Sequence, residues 1–298
     1  MSSIGLLSQL RNEFHKGLTE RLLVIDSYRP KSGRNKGVPL PSASNADGSN
    51  ESSRFIANHI ANALGAKPGN KLPGQSSGNQ FEIHVANYLS KSFSNLPHIR
   101  PGDWEISVSS SRSGTEISAY EQYEHVGILR KKSEEDNTLK ASLGNDYEIS
   151  PDIVMSRSRL DDETINKNKL LVDDKCSIRS SIRSRTGKSR ILHASISCKW
   201  TMRSDRAQNA RSEALNLIRN RKGRTPHIVA VAAEPTPSRL SSIALGTGDL
   251  DCVYHFALYE LQNAIKALGQ SEAEDLLAIM VEGRRLKDIS DLPLDLAL

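Results

Sequence analysis

Apolar residues recur along this chain at two periods, 3.6 and 2, and the two alternate. Leu6, Leu7, Leu10, Phe14 and Leu18 lie near one helix face and predict a helix over residues 4–23. The same spacing predicts helices over 52–64 and 79–93, the latter with Phe81, Val85 and Leu89 on one side and Glu82 in its first turn. A polar helix follows over 119–143, and further helices over 206–219, 256–268 and 273–280. Short β-branched or apolar runs predict strands at 104–108, 152–155, 170–172, 191–200, 227–233 and 250–254. Segments 28–50, 65–78 and 177–190 are rich in Ser, Gly, Asn, Pro or Arg and read as loops. The first is too long for an idle connection, which leaves disorder or function. Strands interleaved with helices predict an α/β fold with a central mixed β-sheet flanked by helices. No repeat or interdomain linker is visible, so residues 1–298 read as one domain.

Composition narrows the class. The 298 residues are 37% hydrophobic, 25% charged and 5% aromatic, an ordinary globular balance that excludes a wholly disordered chain, collagen or a coiled coil. The three cysteines, Cys176, Cys198 and Cys252, are odd in number and form no CxxC, so neither a disulfide framework nor a structural zinc site is supported. That usage fits a reducing, intracellular compartment. No run of about eighteen apolar residues exists to cross a membrane, and residues 1–10 lack the basic then apolar pattern of a signal peptide.

Charge changes the picture more. From Lys175 to Arg224 there are fourteen Lys or Arg against two acids, a local charge of +12 in a chain of +5. The remainder therefore sums to −7. A concentrated basic segment is the footprint expected for a polyanion ligand; the plainer alternative is a solvated charged surface.

Familiar catalytic motifs are absent. Gly187-Lys188-Ser189 resembles the end of a phosphate loop, but Ile182 stands where its first Gly belongs. No G-x-S-x-G or H-E-x-x-H occurs. One constellation remains. Asp152 opens one predicted strand, and Ser197-Cys198-Lys199 closes another. Alternation sends Ser197 and Lys199 to one face and Ile196, Cys198 and Trp200 to the other. If the strands are neighbours, Asp152 and Lys199 meet at one sheet edge. A hard divalent cation needs several oxygen ligands, and Glu213 on the next helix and Glu82 can add carboxylates. Just beyond, Arg203, Asp205 and Arg206 lead into that helix, with Ser204 or Asp205 as its cap. Arginine donors suit the guanine O6 and N7 acceptors, and an aspartate suits the cytosine N4 donor, so the trio reads as a G·C reader. Each piece alone is more often a surface ion pair or a solvated helix residue. Their closeness in sequence favours one assembly that cuts and reads DNA.

At these residues the sequence resembles the CCGG-core group of type II restriction endonucleases. The matching stretches are SNADGSN from Ser44, LPGQSSG from Leu72, HIRPGDW from His98, Pro151 to Ile153, and the long run LHASISCKWTMRSDRAQNARSEALNLIRNRKGR from Leu192. AEPTPSR from Ala233, SSIALGTG from Ser241, Asp251 to Leu261 and RLKDISDLPLDLA from Arg285 extend it. Divergence is concentrated in the first thirty residues and in segment 156–190. The resemblance implies a restriction-endonuclease-like PD-(D/E)xK core, with Asp152, Glu213, Glu82 and the Cys198 carbonyl toward Mg²⁺ and Lys199 as the catalytic lysine. Ser197 would stand where most such enzymes carry their second acid, with Glu213 taking over that charge. Arg203, Asp205 and Arg206 would read the major groove, Arg239 an outer base, and Asp47 and Gln75, in the two early loops at about 28–50 and 65–78, the minor groove. It further implies double-stranded DNA cut at GCCGGC with 5′-phosphates left, a homotetramer of two dimers binding two sites, a cognate DNA methyltransferase, and the cytoplasm of a bacterium. The rival, a non-catalytic DNA-binding protein, has no use for Asp152, Glu213 and Glu82 beside Lys199, because carboxylates repel phosphate. An RNA-binding module should show exposed aromatic platforms, and the basic window offers only Trp200, on the expected core face.

Overall fold

The computed structural model describes residues 4–32, 35–109, 117–143, 149–202, 204–246 and 248–298, with only the backbone of 140, 142–143 and 204–207. The chain opens with α1 (Leu6–Arg21), the hairpin strands β1 (Ile25–Tyr28) and β2 (Leu40–Ala43), α2 (Glu51–Ala63) and α3 (Gly74–Phe93). Then follow β3 (Trp104–Val108), α4 (Glu124–Glu135), α5 (Asn137–Leu143), β4 (Ile153–Arg157), the one-turn α6 (Asp162–Ile165) and β5 (Ile191–Lys199). The last third holds α7 (Ser204–Asn220), β6 (His227–Ala232), α8 (Pro237–Ala244), β7 (Cys252–His255), α9 (Leu258–Leu268), α10 (Ser271–Glu282), β8 (Leu286–Asp288) and α11 (Leu292–Asp295).

Strands β3 to β8 form a six-stranded sheet in sequence order. The pairings β3–β4 and β4–β5 are antiparallel, while β5–β6, β6–β7 and β7–β8 are parallel with helical crossovers. The expectation of a mixed sheet flanked by helices holds. Strand β5 is central, and residues 192–198 are all buried, as a strand covered on both faces requires. The register sets Ile153 opposite Ile196 and Lys199 beside Ala232. Asp152, one residue before β4, therefore lies where β5 and β6 end. In such sheets that edge, beyond the carboxyl ends of the parallel strands, is where ligands bind.

Several expected elements differ. Loop 28–50 contains β2, which pairs with β1 from Ile25↔Ala43 to Tyr28↔Leu40, and Ser44, Asn45 and Ala46 are buried. Helix α3 begins at Gly74 rather than 79, so Gln75 lies in its first turn and Glu82 two turns further in. The 119–143 helix is broken by Asp136, whose carboxylate accepts from the Thr138 and Leu139 amides and starts α5. Leu170 and Leu171 form no strand and are 75% and 66% exposed. Asn166 Oδ1 instead accepts from the amides of Leu171 and Val172, holding that segment as a turn. Helix α7 starts at Ser204, which puts Ser204 and Asp205 inside its first turn instead of at the cap. Helix α8, strand β8 and α11 have no counterpart in the apolar pattern.

The basic segment spends part of its charge within the chain. Arg183 is fully buried, pairs with Asp162 at 2.5 Å, and donates to the carbonyls of Asp173 and Cys176. Arg185 pairs with Asp174, and Arg190 with Asp103 and Glu105. These arginines organise the 158–190 excursion and are not a free polyanion surface.

The N-terminal helix is tied to the far end of the chain by charge. Arg11 donates to Asp288 at 2.9 Å through Nε and Nη2, and bidentately to Glu260 at 3.0 and 2.6 Å. Asp288 is fully buried. Burial raises its pKa, but Arg11 and the Ser290 donors overcome that and hold the carboxyl below the usual aspartate range. Arg11→Ala should cost roughly 3–5 kcal/mol at neutral pH, because it strands a buried carboxylate. Denaturant unfolding measures this. A depressed native pKa contributes stability above the unfolded value and loses it as acid protonates the group. The gap between variant and wild type should therefore narrow toward low pH; a gap independent of pH would assign the loss to packing alone.

Candidate active site

Asp152 is the hub of the sheet edge. Its Oδ2 accepts from the Cys198 amide at 2.6 Å, the Lys199 ammonium at 3.0 Å and the Ser197 hydroxyl at 3.3 Å. Strand alternation explains the set. Ser197 and Lys199 face Asp152, and the Cys198 amide points between them, while Ile196, Cys198 and Trp200 are buried on the other side. Lys199 is 15% exposed and Asp152 24%, so the pair is shielded but open to one side. The Cys198 thiol is fully buried and pushed well up by burial. Its side chain takes no place in this face, which leaves its backbone for any contact there.

Two helices bring the other acids. Phe81 of α3 packs on Trp200, ring centroids 5.3 Å apart, and this seats Glu82 beside the edge. Burial and the Asp152 charge push the Glu82 carboxyl up to about 7, against the pull of Lys199. In α7, Ala210, Ala214 and Leu217 face the core, and the Tyr123 hydroxyl donates to the Leu217 carbonyl at 2.9 Å. That roll turns Glu213 toward Asp152. Burial, then Asp152, push its carboxyl up to about 8, opposed by Lys199 and by a hydrogen bond from the Ser150 backbone. Glu213 Oε1 is sealed from solvent without a hydrogen-bond partner. Asp152, Ser197, Lys199, Glu82 and Glu213 thus share one electrostatic site. Among the described residues no three His, Cys, Asp or Glu side chains stand within metal-ligand reach of one another, and Lys199 pairs with Asp152.

The expected base readers fall in different places. Arg203 lies outside the described residues, and of Asp205 and Arg206 only the backbone, in the first turn of α7, is described. Gln75 is exposed at the start of α3. Asp47, expected at the minor groove, and Arg239, expected at an outer base, form an ion pair with each other. The hydrogen bonds from Ser49 and Arg239 hold the Asp47 carboxyl at about 2. The Arg239 guanidinium also donates to the Met202 carbonyl at 3.1 Å and lies 3.7 Å from Glu234.

Glu234 has no counterpart among the expected site residues. It is 1% exposed and accepts from the backbone of Met202 at 3.0 Å and Thr236 at 3.1 Å, and from the Thr236 hydroxyl at 2.5 Å. A lone acid directly after an apolar strand is its only trace in sequence.

Two comparisons bear on this site. Residues 24–298 match the family described as NgoMIV restriction enzyme. The type II restriction enzyme NgoMIV of Neisseria gonorrhoeae is 53% identical over 293 residues, which are 98% of this chain and 99% of that protein.

The electrostatics make a prediction independent of activity. Asp152→Asn should lower the titration midpoints of Glu82 and Glu213, because a like charge is removed, yet leave both above the ordinary glutamate range, because burial is the larger cause. Carboxyl carbon NMR titration reads both. Unchanged midpoints would assign the shifts to burial alone.

Proposed function

The chain belongs to the NgoMIV restriction enzyme family, and from that premise we propose that this type II restriction enzyme hydrolyses both strands of duplex DNA at GCCGGC, with Mg²⁺, leaving 5′-phosphates. Its fold is accordingly the restriction-endonuclease-like α/β core. The observation that carries the catalytic reading is the Asp152 carboxylate, shared by Ser197, Cys198 and Lys199 across two strands.

In donor chemistry, though not in the present spacing of its carboxyls, this edge suits a hard divalent cation. Such ions take oxygen ligands, and this edge offers the carboxyls of Asp152, Glu213 and Glu82 and the carbonyl of Cys198. Glu213 has a buried oxygen without a partner, and both glutamates are pushed up by burial and by a neighbouring negative charge, a condition that a cation would relieve. When bound, Mg²⁺ supplies positive charge against the phosphate and a more acidic water. The chain's own residues do the rest. Lys199, as an ammonium, cannot ligate metal; it offers charge to the scissile phosphate and N–H donors to orient the attacking water. Ser197 is neutral, so Glu213 supplies the second negative charge. Water adds across the P–O3′ bond, leaving a 5′-phosphate on one fragment and a 3′-hydroxyl on the other.

Arg203, Asp205 and Arg206 serve as major-groove readers of the inner C·G pairs, Arg239 as reader of the outer pair, and Asp47 and Gln75 as minor-groove contacts. The same reading carries a homotetramer of two dimers on two DNA sites, and a cognate methyltransferase, since unprotected host sites would be cut. It also carries one domain over 1–298 and the bacterial cytoplasm. Among the described residues no helix is long and apolar enough to cross a membrane.

Digestion of a plasmid carrying GCCGGC, followed by end sequencing, tests this. Cleavage should require Mg²⁺, stop with a chelator, and leave 5′-phosphates within that site. Asp152→Ala should lose cleavage and keep site-specific binding in a gel shift, because it removes a ligand and no base contact. Ends scattered over the plasmid, or cleavage by the variant near the wild-type rate, would overturn the reading.

Glu213→Ala should likewise abolish cleavage and leave specific binding intact. Ser197→Glu combined with Glu213→Ser should restore part of the activity, by returning the acid to the strand. Full activity in Glu213→Ala would show that Glu82 or another acid completes the site.

A further inference from the structure

Glu234 sits at the end of β6, buried, and takes no part in the chemistry above. A carboxylate there is costly unless its lone pairs are filled. Its two oxygens are filled in different directions. Oε1 stays local, accepting from the Thr236 amide and hydroxyl at 3.1 and 2.5 Å. Oε2 accepts from the amide of Met202, thirty-two residues away in sequence, at 3.0 Å. It also faces Arg239 Nη1 at 3.7 Å. Arg239 closes the ring by donating from Nη1 to the Met202 carbonyl at 3.1 Å. Met202 is thus held at both its amide and its carbonyl, and it immediately precedes Arg203 in the chain.

The ring is itself anchored. Fully buried His255 donates from Nε2 to the Glu234 carbonyl at 3.2 Å, its Nδ1 accepting from the Ala257 amide. Asn45 donates to the Ala233 carbonyl at 2.7 Å. Asn45 belongs to the loop that carries Asp47, the ion-pair partner of Arg239. A cap for the 234–236 turn needs only Oε1. The second oxygen, the doubly held Met202 and the oriented guanidinium need a further reason.

We infer that Glu234 is a positioning residue for base readout, tying the turn ahead of Arg203 to the Arg239 guanidinium so that inner and outer base pairs are read in one register. The inference rests on the assignment of Arg203 and Arg239 as base readers. Base discrimination depends on donors held at fixed positions and angles. Glu234→Gln keeps the size of the side chain but replaces one acceptor oxygen by an NH₂ donor. That NH₂ must then face either the Met202 amide or the Thr236 donors, so the ring opens without leaving a cavity.

The test uses full-length protein with three duplexes: GCCGGC, ACCGGT with the outer pair changed, and GCATGC with the central pairs changed. Values of kcat and KM, gel-shift affinities and melting temperature are measured for each variant. Glu234→Gln should lose about tenfold of the discrimination against both altered duplexes, with its melting temperature close to wild type. Arg239→Ala should lose discrimination only against ACCGGT. In the double variant, discrimination against ACCGGT should fall no further than in Arg239→Ala, the non-additivity expected of groups acting as one unit. Wild-type discrimination in folded Glu234→Gln, an equal loss of rate on all three duplexes, or loss against one altered duplex only would overturn the inference. Should Glu234→Gln not fold, Thr236→Val removes one donor and keeps the carboxylate; it should show a smaller joint loss, and unchanged discrimination there would overturn the inference. If the wild-type protein prefers another site, the assigned target falls, and the same comparison on duplexes built around that site still decides the role of Glu234. A wild-type protein that binds no DNA would remove both.

Discussion

One carboxylate oxygen, Asp152 Oδ2, organises the sheet edge that holds the candidate site. It accepts a backbone amide, a hydroxyl and an ammonium from three consecutive residues of the neighbouring strand. Only an antiparallel partner in the register Ile153↔Ile196 offers those groups together. A slip of one residue would exchange the Ser197–Lys199 face for the Ile196–Cys198 face and destroy the site. The parallel half of the sheet then fixes the strand end against β6, where Ala233 donates to the Lys199 carbonyl at 2.8 Å. The Asp152–Lys199 pair is therefore placed by the pairing of three strands.

Charge around that hub is arranged with unequal burial. Lys199 answers Asp152 directly, whereas Glu82 and Glu213 meet the same negative charge from less solvated positions and are pushed up to about 7 and 8. Two carboxyls pushed up by burial and by the same neighbour concentrate acidic oxygens at one edge. Ser197, two residues before Lys199, brings no charge to this edge, and Glu213 comes to it from helix α7 rather than from the strand. The roll of α7, set by Ala210, Ala214 and Leu217 in the core, makes that possible.

The arginines differ in how far their charge is committed within the chain. Arg11, Arg183 and Arg190 are committed to internal acids and carbonyls, so a count of positive charge overstates what this chain offers a polyanion. Arg239 is different: it is oriented by Asp47, Glu234 and the Met202 carbonyl on a half-buried surface. Orientation of this kind lowers the conformational entropy that an arginine loses on meeting a ligand.

The sequence by itself determined the alternation of helices and strands, the strand-end aspartate and the Ser-x-Lys at the end of a buried strand, because these follow from local periodicity. It also placed Ile196, Cys198 and Trp200 on the inner face, since a strand alternates whatever its partners. Through resemblance it named the residues of the candidate site. What it left open depends on contacts distant along the chain. Strand β2 inside a polar loop is invisible to periodicity because Pro41 and Ser42 carry no apolar pattern. The run 170–172 looks like a strand but finds no partner in the sheet, and its apolar side chains face solvent. Positive charge between Lys175 and Arg190 is conspicuous in sequence, yet the acids that neutralise it from elsewhere in the chain, Asp162 and Asp103, are not marked as its partners. Glu234 is one acid among thirty-five Asp and Glu residues. Its place between Met202 and Arg239 was decided only when parallel pairing of β5 and β6 brought the ends of two strands side by side.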